Sequence, residues 1–308
     1  MRHLLPLRYI DAVVRAGSIR KAAEALSITS TALNRRILAM EQDLGVPIFE
    51  RLPRGVRLST AGEILIQHVR SQLSDMERVK SQIADLSGVR RGHISIACSQ
   101  ALMPVFLPEQ IAIYRREHPA VTFQVLRRDR EAAEQELLDH TADLALVFEP
   151  VRMSSFETLM AIRQPIHAVM GRRHPLARRD TVRLRDCLRY PIALPTHLYG
   201  VRHALDMALL HSSLRMRPAV ESDSFEFLRH YARQDHTISF QIPIGLSPGR
   251  RHQDDVSCAI DERDVKPGSL YLGQLRGRAL PVAVTRFAAQ LAATLAQNFE
   301  EAPAATPR

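Results

Sequence analysis

The stretch that most constrains this chain is Gly17–Met40, GSIRKAAEALSITSTALNRRILAM, which reads as two short helices joined by a tight turn. Ser18 is a natural N-cap for the first helix, and Ala22, Ala23 and Leu26 share one face of it. Ser27 and Ile28 make the turn, and Thr29 can cap the second helix. Leu33, Ile37, Met40 and Leu44 then recur at the spacing of one helical stripe, so they should be its buried side. Ser30, Thr31, Asn34 and Arg35 remain outward near the N-terminal end, the end a recognition helix puts into the major groove of DNA. This arrangement is a helix-turn-helix.

The flanks extend the pattern. Pro6 suits a first turn, Leu7, Ile10 and Val14 follow at helical spacing, and Gly17 is a plausible stop, so one helix precedes the pair. After Gly45, two short strands at 48–51 and 56–58 flank Pro53 and Gly55 and carry Arg51, Arg54 and Arg57. A two-stranded wing with arginines would touch the DNA backbone or minor groove. Charge agrees with a polyanionic partner: the formal net charge is +9, and the first 60 residues hold ten Lys or Arg against five Asp or Glu.

Thr60-Ala61-Gly62-Glu63 reads as a capping box opening a long helix, 61–88. Leu65, Val69, Leu73, Met76, Val79, Ile83 and Leu86 form its apolar stripe, and Ser87 and Gly88 end it. The length of the stripe predicts a dimerising linker, with Leu65, Val69, Leu73, Met76 and Ile83 as contacts. From Gly92 strands and helices alternate: strands at 93–98, 121–126, 142–148, 166–170, 190–194 and within 236–245, and helices at 108–118, 131–139, 201–211 and 281–299. That alternation predicts an α/β domain over 92–300 with a parallel sheet. The tail 301–308 reads as disordered.

With 308 residues, 45% of them apolar, the chain has room for two or three domains. No run approaches the roughly 20 apolar residues of a membrane span. The N-terminus shows no signal-peptide core, so a cytoplasmic protein with no membrane partner is expected. Cys98, Cys187 and Cys258 lie far apart and form no CxxC pair, so reduced, buried thiols are expected. The thirteen histidines show no zinc-ligand spacing, and no nucleophile elbow or phosphate loop appears. No metal, cofactor or catalytic residue is therefore expected, and an enzyme or solute receptor is the lesser reading.

Taken together, Gly17-Ser18, Ala22-Ala23, Leu26, Ala32-Leu33, Ile37, Glu41, Leu44-Gly45, Ile48-Phe49-Glu50-Arg51 and Ala61-Gly62 resemble the DNA-binding domain of LysR-type transcriptional regulators. His174-Pro175-Leu176-Ala177 and Phe287 extend the resemblance more weakly toward the C-terminus. The resemblance implies a winged helix-turn-helix over 1–60 and the linker helix. It further implies a periplasmic-binding-protein-like (type 2) effector domain of two α/β subdomains, I at about 92–162 plus 268–300 and II at about 163–267. It implies a dimer, and a tetramer built from dimers, on double-stranded DNA, with RNA polymerase as a further partner. It also implies a small-molecule effector, most often a carboxylate. One departure matters for DNA reading: family members commonly carry Gln and Ser where this chain has Ser30 and Asn34. Asn can pair with adenine in a bidentate way, worth about 1–3 kcal/mol of discrimination.

In an open α/β sheet ligands bind beyond the carboxyl ends of the strands, where helix N-termini attract anions. Ser99 and Gln100 follow the first strand of the domain, Phe148 ends the third, and Thr196 and His197 follow the strand at 190–194. Together with Ser222, Phe225 and Gln241 these are the expected effector contacts.

Overall fold

Ser18 and Thr29 cap their helices as the sequence requires. The computed structural model describes residues 4–86, 91–210, 212–234, 236–246 and 255–299. The expected tail 301–308 and the stop at Ser87 and Gly88 lie outside the described residues. Backbone contacts divide the chain into two compact units, Met1–Ser87 with Leu138–His140, and Gly88–Leu137 with Thr141–Arg308.

The first unit opens with α1 (Leu5–Ala16), α2 (Ile19–Ala25) and α3 (Ser30–Leu44). Gly17 takes the left-handed conformation that ends α1, and its N–H donates to the carbonyl of Val13. The Ser18 Oγ accepts from Lys21 N at 3.5 Å and the Thr29 Oγ1 from Ala32 N at 3.2 Å, capping α2 and α3. Ile10, Val13, Ala22, Ala23, Leu33 and Ile37 are buried in one core with Ile48 and Val69. Leu44 departs from the expected stripe and is 49% exposed. Gly45 ends α3 there, and the last turn runs past the core as the chain leaves for the wing.

The wing is an antiparallel pair, β1 (Phe49–Leu52) and β2 (Gly55–Leu58). Glu41 ties it to α3, its Oε1 accepting from Ile48 N at 2.7 Å and Phe49 N at 3.1 Å. Val56 N donates to the Gly17 carbonyl at 3.1 Å, and a Cβ on Gly55 would meet that oxygen at 2.4 Å. Only glycine fits so close an approach, at φ +118°.

The helix α4 (Thr60–Leu86) follows, and its cap differs from the expected box. Ser59, not Thr60, supplies the oxygen, accepting from Gly62 N at 3.0 Å while donating to the Pro47 carbonyl at 2.6 Å. The stripe also divides in two. Val69 is buried, and Leu65 and Leu73 pack against the same core as Ile10 and Ile37, so these three are claimed by the chain's own winged domain. Met76 is half-buried, while Val79 and Ile83 are 36% and 56% exposed.

The second unit holds two mixed sheets rather than one parallel sheet. The first orders β4 (Val121–Arg127), β3 (Gly92–Cys98), β5 (Leu144–Phe148), β13 (Gly268–Leu275) and β6 (Phe156–Gln164). The second orders β10 (Pro218–Ser222), β9 (Ile192–Pro195), β11 (Ile238–Gln241), β7 (His167–Gly171), β12 (Asp255–Ile260) and β8 (Thr181–Val182). β3, β4 and β5 run parallel, as do β9, β10 and β11, but β13 is antiparallel to β5 and β6, and β7 to β11 and β12. The reason is topological. The chain leaves the first sheet after β6 and returns through β13, so the departing and returning strands must oppose each other. The helices α5 (Phe106–Glu117), α6 (Arg130–Leu138) and α10 (Val282–Asn298) accompany the first sheet, and α7 (Leu184–Cys187), α8 (Gly200–Leu209) and α9 (Phe225–Tyr231) the second. Phe287 of α10 is fully buried, with Tyr114 and Phe123 edge-on at 5.2 and 5.0 Å.

Candidate DNA-reading face and effector cleft

In the first unit, Ser30 and Thr31 are exposed on the first turn of α3, and Arg35 is exposed one turn on. Asn34 is half-buried, and its Oδ1 accepts from Arg51 Nη2 at 3.1 Å. Arg51, Arg54 and Arg57 are all exposed on the wing, as the sequence requires. They are not equivalent: Arg57 Nε donates to Glu50 Oε2 at 2.8 Å, so part of its charge is already answered. Arg36 does not join this face. Its Nη1 donates to the Tyr9 hydroxyl at 2.8 Å, and its guanidinium lies 5.0 Å from the Tyr9 ring centre, which makes it a strut between α3 and α1.

The second unit contains a cleft between the carboxyl ends of β3, β4 and β5 and the N-termini of α8 and α9. Ser99, Arg128, Arg130, Phe148, Tyr199, Gly200 and Phe225 are among its lining residues. The two sides come very close. A Cβ on Gly200 would meet the Phe148 carbonyl oxygen at 2.4 Å, so only glycine can open α8 here. Tyr199 and Phe225 meet edge-on at 5.1 Å and form an apolar wall.

Of the expected effector contacts, the structure brings Ser99, Phe148 and Phe225 together in this lining. Gln100, Thr196, His197, Ser222 and Gln241 are not in it. Gln100 uses both ends of its amide across the cleft, Oε1 accepting from Phe225 N at 3.0 Å and Nε2 reaching Ser224 Oγ at 3.4 Å. Gln241 is buried and donates to the Gly245 carbonyl at 3.1 Å, holding the turn after β11. Ser222 Oγ accepts from Ser224 N at 3.1 Å, where it shapes the entry to α9. His197 is exposed beyond the pocket, while Thr196 keeps a buried Oγ1 that has no hydrogen-bond partner.

Sequence reasoning missed the basic side of the cleft. Arg128-Asp129-Arg130 follows β4 just as Ser99 follows β3, and the same strand-end rule would have found it. Arg128 Nη1 donates to the Arg127 carbonyl at 2.8 Å, and its Nε is tied to Glu136 at 2.5 Å. Arg130 is different, because its Nε is buried and has no hydrogen-bond partner. Burial pulls its guanidinium below the ordinary arginine value, while the charges of Glu149 and Glu134 act to restore it. Neither carboxylate bonds Arg130: Glu134 accepts from Val151 N at 2.6 Å and Arg152 N at 2.8 Å, and Glu149 accepts from Ser269 N at 2.7 Å. Burial holds the Cys98 and Cys187 thiols up at about 12, so neither supplies a thiolate near neutral pH.

A family model described as bacterial regulatory helix-turn-helix protein, lysR family, matches residues 4–63, and one described as LysR substrate binding domain matches residues 87–296. The RuBisCO operon transcriptional regulator of Allochromatium vinosum is 25% identical over 288 residues, which cover 92% of this chain and 93% of that one. Among solved structures, a full-length OxyR variant from Pseudomonas aeruginosa superposes with a TM-score of 0.72 at 18% identity, covering 94% of each chain. The effector binding domain of QuiR, in complex with shikimate, superposes with a TM-score of 0.58 at 18% identity, covering 68% of this chain and 99% of that one. With a helix-turn-helix and a two-sheet domain in the matched order, this chain belongs to the LysR family of bacterial transcriptional regulators.

Proposed function

We propose that the winged helix-turn-helix of this chain binds operator DNA and that the cleft of its second unit binds a small anion, a carboxylate by preference, which adjusts regulation. The observation that carries the effector reading is Arg130. A buried guanidinium nitrogen without a partner is costly unless a ligand completes it. Gly200 and Val201 line the same pocket at the start of α8, whose N-cap Tyr199 provides no side-chain cap. The first N–H groups of that helix therefore stand available to an anion beside Arg130. The shikimate held by the related QuiR domain is itself a small carboxylate.

The exposed row of Ser30, Thr31 and Arg35, with Arg51 and Arg54 beside it, supports DNA contact by α3 and the wing. Pairing of two copies along the C-terminal half of α4, through Val79 and Ile83, would present two recognition helices to a two-fold operator. A second pairing of dimers and contact with RNA polymerase belong to the same reading, as does work in the cytoplasm. No described helix is long and apolar enough to cross a membrane.

The test is an anisotropy titration of the full-length protein against a duplex it has selected from a random library. Arg35→Ala should weaken binding on the order of tenfold at physiological salt, with melting unchanged. Unchanged affinity removes Arg35 from the interface, and a parent that selects no sequence overturns the DNA-binding reading.

A further inference from the structure

A side-chain hydrogen bond joins the recognition helix to the wing at the DNA-reading face. Arg51 stands on β1 and Asn34 on the second turn of α3, and they meet Nη2 to Oδ1 at 3.1 Å. Arginine has donors only, so the amide atom facing it must be the oxygen. That fixes the orientation of the Asn34 amide and turns its Nδ2 away from Arg51. The elements carrying the two residues are themselves fixed to each other, because Glu41 of α3 accepts from Ile48 N and Phe49 N at the entrance to β1. Arg51 and Arg57 differ in what they face. The partner of Arg51 is a neutral amide, whereas Arg57 faces the Glu50 carboxylate at 2.7 Å.

We propose that Asn34 and Arg51 act as a single donor-only reader of a guanine edge in the major groove, with Arg51 also positioning the Asn34 amide. The proposal rests on the reading that α3 enters operator DNA. An asparagine with a free amide pairs with adenine by accepting from N6 and donating to N7. Here the oxygen is turned to Arg51, and what remains for DNA is Nδ2–H and the other guanidinium N–H groups. Guanine offers two acceptors, N7 and O6, with no donor between them, so it complements this set. Adenine and cytosine each present an amino donor to it, and thymine presents one acceptor beside a methyl group. The adenine pairing that Asn34 suggests in isolation is therefore displaced by its neighbour on the wing.

The experiment is selection of bound duplexes from a random library at fixed salt. It uses the full-length parent, Asn34→Ala, Arg51→Ala and the double variant. Both side chains reach the surface, and matching melting transitions show that each variant is folded. The parent should select a guanine at one position of each half-site. Either single substitution should reduce that preference on the order of tenfold, at that same position, and the double variant should lose little more than one single. An adenine there in the parent, lost on Asn34→Ala, overturns the proposal. So does an Arg51→Ala that weakens all sequences alike and keeps the base preference, since that is the behaviour of a phosphate contact. A parent that enriches no sequence at all overturns the DNA-binding reading itself, and no pattern among the variants produces that result.

Discussion

The recognition helix and the effector cleft both set polar groups at helix N-termini, yet they are assembled from opposite kinds of contact. Around α3 the partners are close in sequence: Glu41 meets Ile48 seven residues on, and Arg51 meets Asn34 across 17. Around the cleft they are remote, with Gln100 bonding Ser224 and Phe225 across 124 and 125 residues. Local contacts fix the shape of the reading face almost independently of the rest of the chain. The cleft exists only when two sheets have both formed, the first of them interrupted in sequence by the whole of the second. Damage should therefore spread differently from the two regions.

The largest effect is expected where remote segments touch most closely. Gly200→Val places new atoms against the Phe148 carbonyl, which as backbone cannot move aside. We expect a loss of about 3 kcal/mol in urea unfolding of the effector unit, at the upper end for overpacking, with DNA affinity kept. Equal loss in both units would break the contrast.

Next comes a pH effect confined to the effector unit. Burial pulls His174 down to about 4 from its ordinary 6.5, and its ring packs edge-on against Tyr190 at 4.4 Å. Its folded pKa is depressed, so the unfolded chain binds the proton first. The stability contributed by neutral His174 is present above pH 6.5 and is lost as pH falls toward 4. The full cost is about 2–3 kcal/mol. His174→Asn should flatten the fall in urea midpoint across that window, and an unchanged slope would remove His174 as its source.

The smallest effect belongs to the first unit. Ser59→Ala removes the cap of α4 and should cost about 1 kcal/mol of winged-domain stability, read by amide exchange in α4. Loss of effector binding in that variant would show that the regions are less independent than their contacts indicate.

The same contrast explains what could be read from sequence. Ser18, Thr29, Gly17 and Gly45 mark helix ends through their own side chains or conformations, and α1 to α3 appear where those residues put them. Leu65, Val69 and Leu73 were legible as a stripe, but periodicity does not say whose core a stripe meets. β6, β8, β10, β12, β13, α7 and α9 were not legible. FETLMAIRQ, for example, has exposed residues through much of its length and no clean alternation, because it is placed by pairing with β13 from more than a hundred residues later. Ser222 and Phe225 read as effector contacts with no helix beside them, whereas Ser224 caps α9, its Oγ accepting from Phe227 N at 3.2 Å, and Phe225 is the first residue of that helix. Gly200 gave no sign of its role, since the need for glycine comes from Phe148.

In the proposed reading, Arg130 and the start of α8 complete their hydrogen bonds with an anionic effector. The decisive measurement is the melting temperature of the full-length protein with shikimate and a panel of small aromatic carboxylates, each beside its neutral methyl ester. A ligand that binds only the folded state raises that temperature. At least one acid should stabilise the parent while its ester does not, and Arg130→Met should abolish the shift while leaving the ligand-free melting temperature near that of the parent. An ester as effective as its acid, or a full shift retained in Arg130→Met, would contradict that reading.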